Sequence, residues 1–284
     1  MLHLTSMRDR PTKVTDKQPT TTASPRQSRI HVIALIGVIA IAGGAFWSRQ
    51  QLSRPGADSY SKVADLYMHQ HRFKDAANLY RQATKADPTD GTLDFRLSYA
   101  LANAGDNSGA TDAARKATEL LPKDATAWRR LGTLEAHAGH GDVAYAAFRR
   151  AHELDPTTRS DLLNMATQGL FEPDLAYDKQ ELEHYLATQP NDYEAWYLLA
   201  ATDERLPRTP AILTDGIAAG ERAQTGLRKD IRLARVLGEF YLAANRPADA
   251  LKAYQQGLAS TPHSSEMQHG IAISQARLGH SGTP

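Results

Sequence analysis

The chain has 284 residues, 45 of them alanine, with 41% apolar and 23% charged residues and no cysteine. The missing thiols exclude a disulfide scaffold, a thiol nucleophile, thiolate-bound zinc or iron-sulfur sites, and a lipid-modified N-terminal cysteine. The formal charge of +1 divides into +4 over residues 1–30 (six Lys/Arg against two Asp) and −3 over the rest (27 against 30), so nucleic acid is not an expected partner.

Residues 1–29 form a basic tail; within the first thirty positions, twelve are Ser, Thr or Pro and no apolar period is present, a linker composition. Residues 30–48 then run without Lys, Arg, Asp or Glu, and Val32 to Trp47 are sixteen almost wholly apolar positions. A helix of this length reaches roughly 28 Å, close to the thickness of a hydrocarbon core, and Trp47 falls where an interfacial aromatic belongs. The segment reads as a single transmembrane anchor. Arg8, Arg10, Lys13, Lys17, Arg26 and Arg29 precede it and only Arg49 and Arg54 follow closely, which orients the C-terminal body away from the cytoplasm. Ala40-Ile41-Ala42 also resembles a small-x-small cleavage site, so release after Ala42 competes with anchoring. Residues 49–56 form a short linker.

Downstream, Pro88, Pro122, Pro156 and Pro190 are each 34 residues apart, and Pro262 closes a later unit. Proline at fixed helix boundaries with this period predicts stacked helical units. Placing proline at repeat position 32 gives units 57–90, 91–124, 125–158, 159–192, 193–230 and 231–264. Position 8 is then Ala64, Ser98, Gly132, Ala166, Ala200 and Gly238, and small residues recur at positions 20 and 27, where two antiparallel helices approach closely. Larger residues fill the layers between, among them Trp128, Trp196, Leu97, Leu131, Tyr80, Phe148 and Tyr254. Gly105 and Gly139 mark turns where a positive φ is needed.

These spacings resemble the tetratricopeptide repeat family over about residues 57–280. The resemblance implies an all-α fold, a right-handed α-solenoid of helix pairs whose groove is lined by the first helix of each pair. Unit four departs from the pattern with Gly169, Asp178 and Tyr185, and with the break LFEPD between its helices. Unit five has 38 residues; Thr209 is expected to cap its second helix with Pro210 at the first helical position, and Ile212 falls at a normally small place. These departures either bend the stack or are neutral. Residues 265–280 read as a capping helix.

In the family, positions 2, 5, 9, 12 and 13 face the groove. Carried over, they point to Phe95, Tyr99, Asn103, Arg129, Thr133, His137, Tyr197, Arg205, Arg235 and Glu239 as a peptide-binding groove. Aromatics there supply contact area and charges set register. Charge reversal at Arg129 with Tyr99→Ala is expected to weaken partner capture without changing helix content. The lysine and asparagine clamp of family members that grip a C-terminal carboxylate is missing.

No catalytic constellation is present. GxGxxG, GxxxxGK[ST] and GxSxG are absent, the pairs His69/His71 and His137/His140 lack the carboxylate spacing of a helical zinc motif, and Asp142 reads as a helix cap. Neither enzyme activity, metal nor cofactor is expected. The expected partners are a protein or peptide segment and, through Val32 to Trp47, a membrane. The layout is similar to membrane-anchored tetratricopeptide subunits of cytochrome c maturation and to secretion, pilus and exopolysaccharide accessory subunits, which implies a bacterial inner-membrane scaffold facing the periplasm. A self-associating structural scaffold and a cytoplasm-facing adaptor remain open alternatives.

Overall fold

The computed structural model describes residues 56–169 and 174–280. The expected tail, the span from Val32 to Trp47 and nearly all of the linker lie outside the described residues. Among the described residues, no helix is long and apolar enough to cross a membrane.

The described body is built of thirteen helices in the order α1 (Ala57–His69), α2 (Phe73–Ala86), α3 (Gly91–Asn103), α4 (Asn107–Leu120), α5 (Ala125–His137), α6 (Gly141–Leu154), α7 (Arg159–Gly169), α8 (Leu175–Thr188), α9 (Tyr193–Arg205), α10 (Pro210–Gln224), α11 (Ile231–Ala243), α12 (Pro247–Ser260) and α13 (Ser265–His280). The first twelve helices fall into six consecutive pairs, and α13 packs on the last pair. Each helix touches the next in sequence, so the body grows by stacking.

Local chemistry repeats with the period. Position 15 takes a left-handed backbone in four units, at His71 (φ 57°), Gly105 (φ 87°), Gly139 (φ 81°) and Asn245 (φ 56°). At each, two hydrogen bonds close the end of the first helix, as in Gly105 N to Ala102 O (3.1 Å) and Asp106 N to Leu101 O (2.9 Å). This is the Schellman closure, which satisfies two carbonyls left over at a helix end. At position 34, Asp90, Asp124, Asp192 and Asp230 accept backbone N–H groups at the start of α3, α5, α9 and α11. The indoles of Trp128 and Trp196 each donate to the carbonyl of a boundary proline, Pro122 (3.1 Å) and Pro190 (2.9 Å). Asp142 does not cap α6: His140 stands at the cap position and Asp142 is the second residue of the helix, in its first turn, where its negative charge interacts favourably with the helix dipole.

Small residues at position 8 face large ones at position 24. A β-carbon on Gly132 would sit 2.9 Å from the Phe148 ring, and Gly238 abuts the Tyr254 ring in the same way. Unit five corrects one expectation. Its four extra residues lie before α10, and Leu227 N bonds Ala223 O as Leu121 N bonds Ala117 O in unit two. The buried small positions are therefore Gly216, Ala219, Gly220 and Ala223, while Ile212 falls outside the close approach. Thr209 caps α10 through Ile212 N, with Pro210 first in the helix, as expected.

Unit four is built differently. Helices α7 and α8 share less contact than the two helices of any other pair. Asp178, at a normally small position, is fully buried and takes a hydrogen bond from the Tyr145 hydroxyl (3.0 Å). Gly169 makes this fit, since a β-carbon there would collide with Asp178 Oδ2. The two departures from the repeat pattern thus compensate each other.

Candidate protein-binding site

On α3, Phe95, Tyr99 and Asn103 follow at steps of four residues and share one face. The Phe95 and Tyr99 rings meet edge to face with centroids 5.2 Å apart, and Tyr99 is 40% exposed. Asn103 is exposed and its side chain donates to the Tyr99 carbonyl (2.8 Å). From α5, the Arg130 guanidinium lies 3.9 Å over the Tyr99 ring, a cation-π contact. Thr133 and His137 continue along α5 on the same side; the Thr133 hydroxyl donates to Arg129 O (2.9 Å) and His137 is exposed. Beside this face is a cavity of about 780 Å³, lined among others by Arg130, Thr133, His137 and Ala102. The combination of an exposed aromatic, a stacked guanidinium and small polar groups suits contact with another polypeptide.

Other predicted groove residues have work inside the body. Arg129 binds Asp161 through both Nε (2.5 Å) and Nη2 (2.6 Å), and Asp161 is fully buried. That bidentate pair joins units three and four, and the Asp161 carboxylate raises the Arg129 pKa. Arg235 holds Glu204 in the same way, with distances of 2.5 and 2.7 Å. Glu239 accepts the Tyr254 hydroxyl (3.1 Å), as Asp65 accepts that of Tyr80 (2.5 Å), repeating a link between positions 9 and 24. Tyr197 is only 6% exposed, with Arg232 over its ring at 4.6 Å. Arg205, at the end of α9, is exposed. Of the ten residues, Tyr197 is buried, while Arg129, Arg235 and Glu239 are part-exposed and tied to neighbouring side chains.

Arg130 was not among the predicted groove residues, because it occupies position 6. A signal was present in the sequence, since position 6 is arginine in units two and three. Glu135, at position 11, was also passed over; it is 1% exposed and takes Arg115 Nη2 at 2.7 Å and His140 Nδ1 at 2.8 Å. Asp203, at position 11 of unit five, is fully buried and bonded by Lys179 (2.7 Å). Such pairs fasten one unit to the next. Among the described residues, no group of three His, Asp or Glu side chains is placed to hold a metal ion.

A tetratricopeptide repeat model matches residues 63–125 and 99–157. No curated protein matches the chain by sequence. Among solved structures, YrrB, described as a TPR protein with an unusual peptide-binding site, has a TM-score of 0.57 at 15% identity, covering 69% of this chain and 99% of its own. PilW, a type IV pilus biogenesis factor, has a TM-score of 0.51 at 20% identity, covering 75% of this chain and 97% of its own. The APC/C hetero-tetramer Cut9–Hcn1 has a TM-score of 0.50 at 15% identity over 77% of this chain, which spans 43% of that chain. These likenesses and the helix pairs define the class of the described body, an all-α repeat solenoid. Residues 63–157 match the tetratricopeptide repeat model, and the described body has the fold of tetratricopeptide-repeat structures.

Proposed function

We propose that this protein is a membrane-anchored binding scaffold that holds a segment of a partner protein on the face formed by α3 and α5. The observation that carries the reading is the exposed Tyr99, braced by Phe95 on one side and Arg130 on the other. Rigid aromatics of this kind supply binding area at little entropic cost. The anchor is the uncharged segment at residues 30–48, and the excess of Lys/Arg before it supports a bacterial inner-membrane protein with its repeats facing the periplasm. Work in envelope assembly, secretion or cytochrome c maturation fits that topology. PilW, which shares the fold, is a pilus biogenesis factor, and YrrB carries a peptide-binding site.

A photo-crosslinking residue at Tyr99 in the full chain, in intact cells, tests the binding face. Mass spectrometry should identify a partner captured there and not from the exposed Glu119 on α4. Equal capture at both positions refutes the assignment. Reporter fusions after Pro284 test the topology, and activity of a cytoplasmic reporter alone would reverse it.

A second reading, self-association, is favoured by α1. Val63 and Leu66 are 44% and 52% exposed there, at repeat positions whose counterparts Leu97, Ala100, Leu131 and Leu134 are buried. A second copy seated on α1 would cover them. Leu66→Glu should then lower the mass measured by light scattering, and an unchanged mass would reject this reading.

A further inference from the structure

Position 6 of the repeat is occupied by arginine twice, and the two residues differ in one respect. Arg96, in unit two, reaches back to unit one, where its Nη1 meets Asp65 Oδ2 at 2.8 Å and Ser61 Oγ at 3.2 Å. Asp65 is at position 9. One unit further on, Arg130 reaches back to unit two, where position 9 is Tyr99. The guanidinium stacks on that ring and donates from Nε to Ser98 Oγ (3.2 Å) and from Nη2 to Ser98 O (2.9 Å). Among the described residues no carboxylate pairs with Arg130 and no acceptor takes its Nη1.

A guanidinium has five N–H donors and cannot shed its charge, so these two bonds leave three donors open. Arg130 is partly buried, and that burial draws its pKa below the ordinary arginine value. Arg129, Arg159 and Arg235, each bonded to a carboxylate, move the other way. The second arginine of the adjacent cavity, Arg115, already has Glu135 at 2.7 Å and Asp112 at 3.3 Å. Arg130 is thus a partly desolvated cation on an open face, held in place by neutral groups, whereas its counterpart one unit earlier, Arg96, is paired with an acid.

We propose that Arg130 receives a glutamate or aspartate side chain from an extended partner segment running along α3 and α5, with Tyr99 packing against that segment. This rests on the reading of the face as protein-binding and specifies the partner's chemistry. From Phe95 to Asn103 the face extends about 12 Å along the helix, enough for roughly four extended residues. Tyr99, under the guanidinium, lies midway, so a bound segment continues to both sides of Arg130. An internal acidic side chain meets that geometry, and a chain terminus does not.

The test uses the full chain in detergent solution on an array of short random peptides acetylated and amidated at their ends. Peptides retained by the wild type should be enriched in Asp and Glu, and Arg130→Gln should abolish that enrichment. For a retained peptide in solution, Arg130→Gln should weaken binding roughly ten- to a hundredfold, the range for a hydrogen-bonded charge pair. The same peptide with its acid changed to the amide should bind both proteins alike. Gln keeps a donor for Ser98, and unchanged thermal melting of the variant confirms its fold. Acid enrichment that survives Arg130→Gln overturns the proposal, as does failure of the wild type to retain any capped peptide while a parallel array of the same sequences with free C-termini is retained. Tyr99→Ala separates the two claims. If it leaves retention of every peptide unchanged, the binding face itself is wrong; if it reduces retention of peptides without acid preference, only the pairing at Arg130 is wrong.

Discussion

At the scale of single residues, similar side chains have opposite assignments. Arg129 and Arg130 are neighbours in sequence, yet one closes a buried ion pair and the other lies open over Tyr99. Charge reversal at Arg129 is therefore not a clean probe of binding. Arg129→Ala leaves Asp161 fully buried without its partner and should destabilise the fold by about 3 kcal/mol in denaturant titration. Asp178 gives a pH signature. Burial pushes its carboxyl up to about 6, against the downward pull of the Tyr145 hydroxyl. Because the folded value exceeds the unfolded one, its stabilising contribution is complete below about pH 4 and is lost as pH rises through 6. The loss is on the order of 3 kcal/mol. Thermal melts of the wild type and Asp178→Asn should converge toward pH 4, with the variant melting higher at pH 7. Parallel curves across that range would show that Asp178 ionises normally.

At the scale of elements, the repeat is held by turn and contact geometry more than by any residue identity. Gly105 has a positive φ and nothing within 4 Å of where a β-carbon would stand. Gly105→Ala therefore isolates the backbone term and should cost about 1 kcal/mol. His71→Gly, at the equivalent turn, should stabilise by a similar amount, and opposite shifts in melting temperature would check the pair. Gly132→Leu acts through packing instead. It drives a side chain into the Phe148 ring and should cost roughly 1–3 kcal/mol by denaturant titration, more if the ring cannot move. The 34-residue period made the helix pairs legible in the sequence, since proline, turn residue and small residues recur at fixed offsets. The register of α10 was not legible. Counting from the last boundary placed Ile212 at the close contact, whereas the insertion sits at the turn and Gly216 takes that place.

At the scale of the whole described body, burial depends on having a neighbour in the stack. Leu66 and Leu134 occupy the same repeat position, but Leu66 is 52% exposed on α1 and Leu134 is 7% exposed inside the stack. Leu66→Glu should change stability by less than about 0.5 kcal/mol, whereas Leu134→Glu should unfold unit three and its neighbours. Circular dichroism melts of the two variants would distinguish them. The same dependence explains how far the binding face could be foreseen. Repeat numbering located Phe95, Tyr99 and His137 on exposed or partly exposed positions, but it could not tell which arginines find an acid in the adjoining unit.

The sequence by itself determined the helical period, the turn and cap residues and the close approach within each pair, because these depend on residues near one another along the chain. It also carried the apolar segment from Val32 to Trp47 and the uneven charge around it. Only the tertiary structure decided which polar side chains are spent between units and which stay free. Arg96, Arg129 and Arg235 reach acids about thirty residues away, whereas Arg130 finds a tyrosine ring where Arg96 finds an aspartate. The physical reason is that a charge is satisfied by what surrounds it in space, and in a stack those surroundings belong to the next repeat.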